Sequence, residues 1–272
     1  MTEQRSSASL DVKALLAADD LAGAVARTIE EVRQAPQDLN RRLILTDLLI
    51  LSGDLERADK QAAVAANLAP AEAVGLSLLR REIRGMEARK RWYEEAAVPG
   101  FPDGPGEADQ IALRLALGLR TGDDTAVAAA REALAAMAPV QCSWNGGPCG
   151  DFRDLDDRLP HALEAITSGG SYLWIDFGRI ARIEFAPNTR PRDLAWRRAR
   201  LSLKNGSIAE ILVPALYHGR CDSGALRLGR ETSWIDGPGG IVSGEGQRCF
   251  LAGDDMVAIS EAVTIEAGEG DG

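Results

Sequence analysis

Leu21, Val25, Ile29 and Val32 recur at i, i+4, i+8 and i+11, which lays four apolar side chains along one stripe of an α-helix. Residues 39–51 (LNRRLILTDLLIL) are apolar on nearly every side, the pattern of a helix sandwiched between neighbours. In the next segment Ala58, Ala62 and Ala65 or Ala66 share a narrow face that lets another helix approach closely. Glu56, Arg57, Asp59 and Lys60 occupy the rest of it. Asp54 stands where its carboxylate caps that helix, and Pro70 ends it, because proline suits a first turn and disrupts an interior. The pattern further predicts a long helix over 71–96, a Pro/Gly-rich loop at 98–107 (VPGFPDGPGE) and helices over 108–120 and 124–137.

These markers repeat. Asp20-Leu21 returns as Asp54-Leu55, Ala24 as Ala58, and Ala35-Pro36 as Ala69-Pro70, each 34 residues on, the period of tetratricopeptide-type helix pairs. A looser copy takes Gly53-Asp54 to Gly122-Asp123 and Ala69-Pro70 to Ala138-Pro139. After position 140 the pattern changes: ten of the thirteen aromatic residues lie there, among short β-like runs broken by Gly, Asn, Asp and Pro. SYLWIDF (171–177) is apolar on both alternating faces and reads as a strand covered on both sides. Asn205-Gly206 predicts a tight hairpin with positive φ at both residues. Further strands are expected near 225–235, 240–243, 247–251 and 256–260, while 154–167 fits a helix or a strand entry equally well.

The expected fold is thus α+β, a TPR-like α-helical repeat region followed by a β-rich C-terminal domain. The divisions are a flexible N-terminus at 1–9, the helical region at 10–140, the β-rich α+β domain at 150–262 and a flexible acidic tail at 263–272.

Charge narrows the function. A formal net charge of −10 over 272 residues disfavours a protein whose main task is holding nucleic acid. The densest basic stretch, RPRDLAWRRARLSLK (190–204), reads as decoration of an exposed face. No membrane insertion is expected, since the longest apolar run, LILTDLLIL (43–51), is broken by Thr and Asp; nor do the first residues show a secretory signal. The cysteines at 142, 149, 221 and 249 lack zinc-ligand spacing, so the expectation is a cytoplasmic protein with free thiols and no metal or other cofactor. Cys142 and Cys149, flanking SWNGGP, are the pair that would bridge or bind a metal if any did.

Catalytic signatures are sparse. His161 and His218 are the only histidines, and GxSxG, HExxH and GxxxxGK[ST] do not occur. GPGGIV (237–242) and SGEGQR (243–248) read as turns. Asp154, Asp156 and Asp157, with Arg158 and His161, form the most conspicuous polar group. It is either an ion-paired junction or a hydrolytic or metal-assisted cluster, and the second reading requires the side chains to converge in a pocket. Arg192, Asp193 and Trp196 in RDLAW combine types frequent at binding interfaces and equally frequent as structural staples.

Taken in order, GDLERADKQ (53–61), DLDDRL (154–159), YLWI (172–175), RIARIEFAP (179–187), RDLAW (192–196), VPALY (213–217), LRLGRETSW (226–234) and GEGQRCFLAGDD (244–255) resemble the ImpE/TagJ family, also called SciE-type virulence proteins. These are accessory components of bacterial type VI secretion systems. The resemblance spans about residues 10–260. It departs at Ala186–Pro191, where a PP element is expected, and at Leu159-Pro160-His161. It implies a non-enzymatic adaptor that binds the small contractile-sheath subunit, through that subunit's N-terminal helix, with an indirect link to a ClpV-type AAA+ ATPase. Glu56, Arg57 and Asp59, in the resembling helix, join Arg192, Asp193 and Trp196 as candidate partner-binding residues. A self-associating structural subunit, built on the β-rich half, is the remaining alternative.

Overall fold

The computed structural model describes residues 12–268. Helices come first: α1, helical over residues 12–17, then α2 (Leu21–Gln34), α3 (Leu39–Leu51), α4 (Leu55–Leu68), α5 (Ala73–Glu95), α6 (Glu107–Thr121) and α7 (Asp124–Ala135). Strands follow as β1 (Val140–Trp144), β2 (Gly147–Asp154), β3 (Ala162–Thr167), β4 (Tyr172–Asp176), β5 (Ile180–Phe185), β6 (Trp196–Leu203) and β7 (Ile208–Pro214). A one-turn helix, α8 (Gly224–Arg227), leads to β8 (Thr232–Asp236), β9 (Val242–Gly246), β10 (Cys249–Ala252), β11 (Asp255–Ala258) and β12 (Thr264–Ala267). Ten strands make a curled antiparallel sheet in the order β11-β10-β2-β1-β12-β5-β6-β7-β3-β4, and β8 pairs with β9 as a separate ribbon. The protein is α+β. Among the described residues no single helix is long and apolar enough to cross a bilayer.

The 34-residue echo marks helix ends. Asp20 and Asp54 are the N-caps of α2 and α4, with φ/ψ of −91/70° and −85/67°, and each carboxylate accepts from the N–H three residues on. Ala35 and Ala69 end those helices at −134/73° and −133/77°. Asp123 caps α7 in the same way, through Ala126 N–H at 3.0 Å, but the third copy loses its terminus: α7 stops at Ala135, before Ala138-Pro139. On α2 the deepest line is Leu21, Ala24, Thr28 and Glu31, with Val25, Ile29 and Val32 packed at its flank. Thr28 is tolerated there because its hydroxyl donates to the Ala24 carbonyl at 2.8 Å. On α4 the buried line is Leu55, Ala58, Ala62 and Ala65.

Alternation along the strands sorts two cores. Ala162 and Ile166 of β3, Tyr172 and Trp174 of β4, Trp196 of β6 and Leu212 of β7 face the helices. The intervening Leu163, Ala165, Ile175, Ala199, Leu201, Ile211 and Val213 join Phe152, Phe177 and Phe250 inside the curl. SYLWIDF is covered on both faces for this reason. Its free edge is closed too: the Pro/Gly-rich loop lays Gly100 along β4, with Gly100 N–H donating to Tyr172 O at 2.9 Å and Trp174 N–H to Gly100 O at 3.0 Å.

Three expectations are corrected. Residues 155–161 take the strand-entry form, a turn leading into β3, while 224–227 is a helical turn capped by Ser223 rather than a strand. The β6–β7 loop puts only Gly206, at φ +86°, in the left-handed region, because the extra residue Lys204 makes it a three-residue turn closed by Leu203 N–H to Ser207 O. Thr264–Ala267 is no tail: β12 lies inside the sheet between β1 and β5, where Ile265 enters the core. The expected flexible N-terminus at 1–9 and the last four residues lie outside the described residues.

Candidate functional site

The aspartates of DLDDR do not converge. Asp154 meets Arg248 at 2.7 Å and receives the Tyr217 hydroxyl at 2.8 Å. Asp156 holds its neighbour Arg158, which also reaches the His218 carbonyl, and Asp157 accepts the Val242 N–H at 2.7 Å. His161 Nε2 lies 3.0 Å from Asp109 on α6. Each group is consumed by a contact that ties the 154–161 turn to the rest of the chain. Among the described residues no three His, Cys, Asp or Glu side chains gather as a metal would require. Burial lifts Asp154 to a pKa of about 6 in spite of Arg248.

A larger charged group, which sequence reasoning did not single out, lies between α5 and the sheet. Glu164 is wholly buried on the helix-facing side of β3. It accepts both fork N–H groups of Arg89 at 2.9 and 2.8 Å, Tyr172 OH at 2.5 Å, Tyr93 OH at 3.2 Å and a further N–H of Arg248. Burial works to raise its pKa, but Arg89 and Arg248 outweigh that and hold it far below the usual carboxylate range. Arg248 bridges Glu164 to Asp154, so two cations and two carboxylates balance. At the rim His218 stacks on Tyr93, with centroids 4.5 Å apart and planes 9° from parallel. Burial and the nearby Arg89 and Arg158 charges lower its pKa to about 4, so this imidazole is neutral at physiological pH. One signal existed in the sequence: Glu164 is the lone charge within the apolar run ALEAIT.

The basic stretch is also inward-looking, contrary to the expected surface decoration. Arg190 and Arg192 both grip the buried Asp47 of α3, at 3.0 and 2.9 Å. Arg198 forks onto Glu82 of α5, at 2.9 and 3.0 Å. Arg197 donates to the carbonyls of Ile259, Ala262 and Ala186. Arg190, Arg192 and Arg198 fasten α3 and α5 to the β-rich half, and Arg197 ties β6 to the segments beside it.

The six candidate partner-binding residues separate accordingly. Glu56 and Arg57 are exposed, paired with Lys60 and with the cap Asp54. Asp59 is bound at 2.8 and 2.9 Å by Arg80 of α5, which holds its carboxyl below the usual range. Arg192 is committed to Asp47. Asp193 is buried, accepting the Thr189 and Arg190 N–H groups at 2.8 Å each, and Trp196 is fully buried. Their positions bring Glu56 and Asp59 together with Lys60, Leu55 and Ile83 on the wall of a groove of about 290 Å³ between α4 and α5.

A wider groove of about 560 Å³ opens between α1, α3 and the segment after β5. Val12, Leu16, Leu43, Ile44 and Pro191 give it an apolar floor, and Lys13, Glu31, Asp38, Arg41 and Arg190 a charged rim. Its size, apolar lining and mixed rim suit a row of apolar side chains from a helix, with charges to fix register.

Comparison with known proteins agrees with this architecture. The model of the family described as ImpE protein matches residues 146–266, from the β1–β2 turn to β12. The type VI secretion system accessory component TagJ of Pseudomonas aeruginosa is 29% identical over 251 residues, covering 90% of this chain and 86% of that protein. The crystal structure of a Vibrio parahaemolyticus protein superposes with a TM-score of 0.87 at 25% identity, covering 96% of this chain and 98% of the other. The family match fills the β-rich half and the relationship to TagJ runs through both halves, so the chain is similar to ImpE/TagJ proteins over most of its length.

Proposed function

We propose that the protein is a non-catalytic accessory component of a bacterial type VI secretion system. In this reading it works in the cytoplasm, holds the small contractile-sheath subunit by that subunit's N-terminal helix, and so links the sheath to a ClpV-type ATPase. The helical half is read as a TPR-like scaffold and the β-rich half as the body that braces it. The relationship to TagJ over most of both chains supports the accessory role. The observation that carries the binding reading is the α1–α3 groove of about 560 Å³, with an apolar floor and a rim of both charges. The hydrolytic alternative is weakened because Asp154, Asp156, Asp157, Arg158 and His161 are each spent on internal contacts.

The α4–α5 groove bearing Glu56 and Arg57's neighbour Asp59 is the second seat for the same partner. Co-expression with the small sheath subunit of the same gene cluster distinguishes the two. Co-purification that Ile44→Asp abolishes and Glu56→Arg leaves intact assigns the wider groove, the reverse pattern assigns the other, and no co-purification with the unaltered protein refutes sheath binding.

A further inference from the structure

Cys142 of β1 and Cys149 of β2 are register partners across the hairpin, and their sulfurs lie 2.8 Å apart. A disulfide bond measures about 2.0 Å. The register sets the two thiols directly opposite each other, and little movement separates them from bonding. Three features build the site. The turn Asn145-Gly146, with φ of +50° and +85°, fixes the register that sets the cysteines opposite each other. Both sulfurs belong to the apolar core inside the curl, beside Phe152. The hairpin is clamped on both sides, by β12 and by β10. Of the other two thiols, Cys249 meets the Thr232 hydroxyl at 3.3 Å.

We propose that Cys142 and Cys149 are a reversible oxidation site, a dithiol that closes to an intramolecular disulfide when a small disulfide such as oxidised glutathione is present. Cys149, 9% exposed against 5% for Cys142, is the sulfur reached first. Its thiolate attacks one glutathione sulfur, the glutathione disulfide breaks, and one glutathione leaves as thiol. The Cys142 thiolate then attacks the Cys149 sulfur of the mixed disulfide and expels the second glutathione. Two protein thiols are oxidised, one glutathione disulfide is reduced, and the two cysteine protons leave on the two glutathione thiols. Burial and the adjacent Cys149 push the Cys142 thiol up, so the second step is slow at neutral pH.

The bond would staple a hairpin whose tip holds the end of the chain. Asn145 Oδ1 accepts the Val263 and Thr264 N–H groups at 2.7 and 3.0 Å, while its Nδ2 donates to Glu261 O at 2.9 Å. Closing so short a loop raises Tm by roughly 5–10 °C in a chain of this size.

The test incubates the folded full-length protein with millimolar oxidised glutathione, traps free thiols with an alkylating agent, and reads intact mass and peptide maps. The expected product has lost two hydrogens, links the peptides containing Cys142 and Cys149, melts higher than the reduced protein and reverts with dithiothreitol. Cys142→Ser and Cys149→Ser prevent it, and Cys221→Ser does not. Four alkylated cysteines after prolonged incubation, glutathione adducts alone, or a disulfide that fails to raise Tm would overturn the proposal.

Discussion

Arg89 of α5 and Glu164 of β3 are joined by two parallel N–H···O bonds of 2.9 and 2.8 Å, with both side chains withdrawn from solvent. A pair so placed fixes one orientation of α5 on the sheet, because only a planar fork meeting a carboxylate edge satisfies both groups. Removing one partner leaves the other charged and buried. Glu164→Gln leaves Arg89 and Arg248 facing each other with one carboxylate fewer, and is expected to destabilise the fold by about 3–5 kcal/mol. Chemical denaturation checks this, and an unchanged midpoint would show that the network contributes nothing.

Gly170 stands at φ +86° in the β3–β4 turn, directly under α5, where an added Cβ would lie 2.5 Å from the Arg81 carbonyl oxygen. Gly170→Ala therefore meets both a disfavoured backbone region and a backbone collision. A loss on the order of 1–3 kcal/mol is expected in thermal unfolding, with Gly206→Ala, at similar φ but with open space around it, losing less.

The recurrent caps make a matched set. Asp20→Ala, Asp54→Ala and Asp123→Ala each remove one carboxylate acceptor from a helix start, and each is expected to cost about 1 kcal/mol. Denaturant midpoints of the three variants should agree within a few tenths of that; a silent substitution would mark a helix whose start is held by packing alone.

His218 predicts a pH effect of definite sign. Between pH 6.5 and about 4 the unfolded imidazole binds a proton that the folded one refuses, so its contribution to stability is complete above 6.5 and is lost as pH falls through this window. The loss is on the order of 3 kcal/mol. Asp154, whose pKa is raised to about 6, acts in the opposite direction between 6 and 3.8, so the two must be separated by substitution. The Tm advantage of the unaltered protein over His218→Gln should shrink as pH is lowered from 7 to 4, and a constant difference would contradict the assignment.

The helices were legible because their signals are local. Cap aspartates, alanine faces and Pro70 act within one turn, so boundaries came out within a few residues for α5, α6 and α7. The β12 strand was not: EAGEGDG resembles a tail, and only pairing with β1 and β5, both distant in sequence, makes its first residues a strand. Glu164 and the arginines at 190, 192, 197 and 198 show the same limit from the side of charge. A guanidinium looks identical in sequence whether water or a carboxylate over a hundred positions away receives it. Trp196 and Asp193 carry chemistry that a core and an interface share. Glu56 and Arg57 came from a helix whose opposite face was readable, and so were correctly expected to reach solvent.

The most direct measurement is calorimetric titration of the full-length protein with a peptide covering the N-terminal helix of the small sheath subunit. Saturable binding near micromolar Kd, about −8 kcal/mol, that Ile44→Asp weakens at least tenfold while its Tm stays within a degree or two, is the predicted result. Absence of heat with both the peptide and the intact subunit would contradict the adaptor reading.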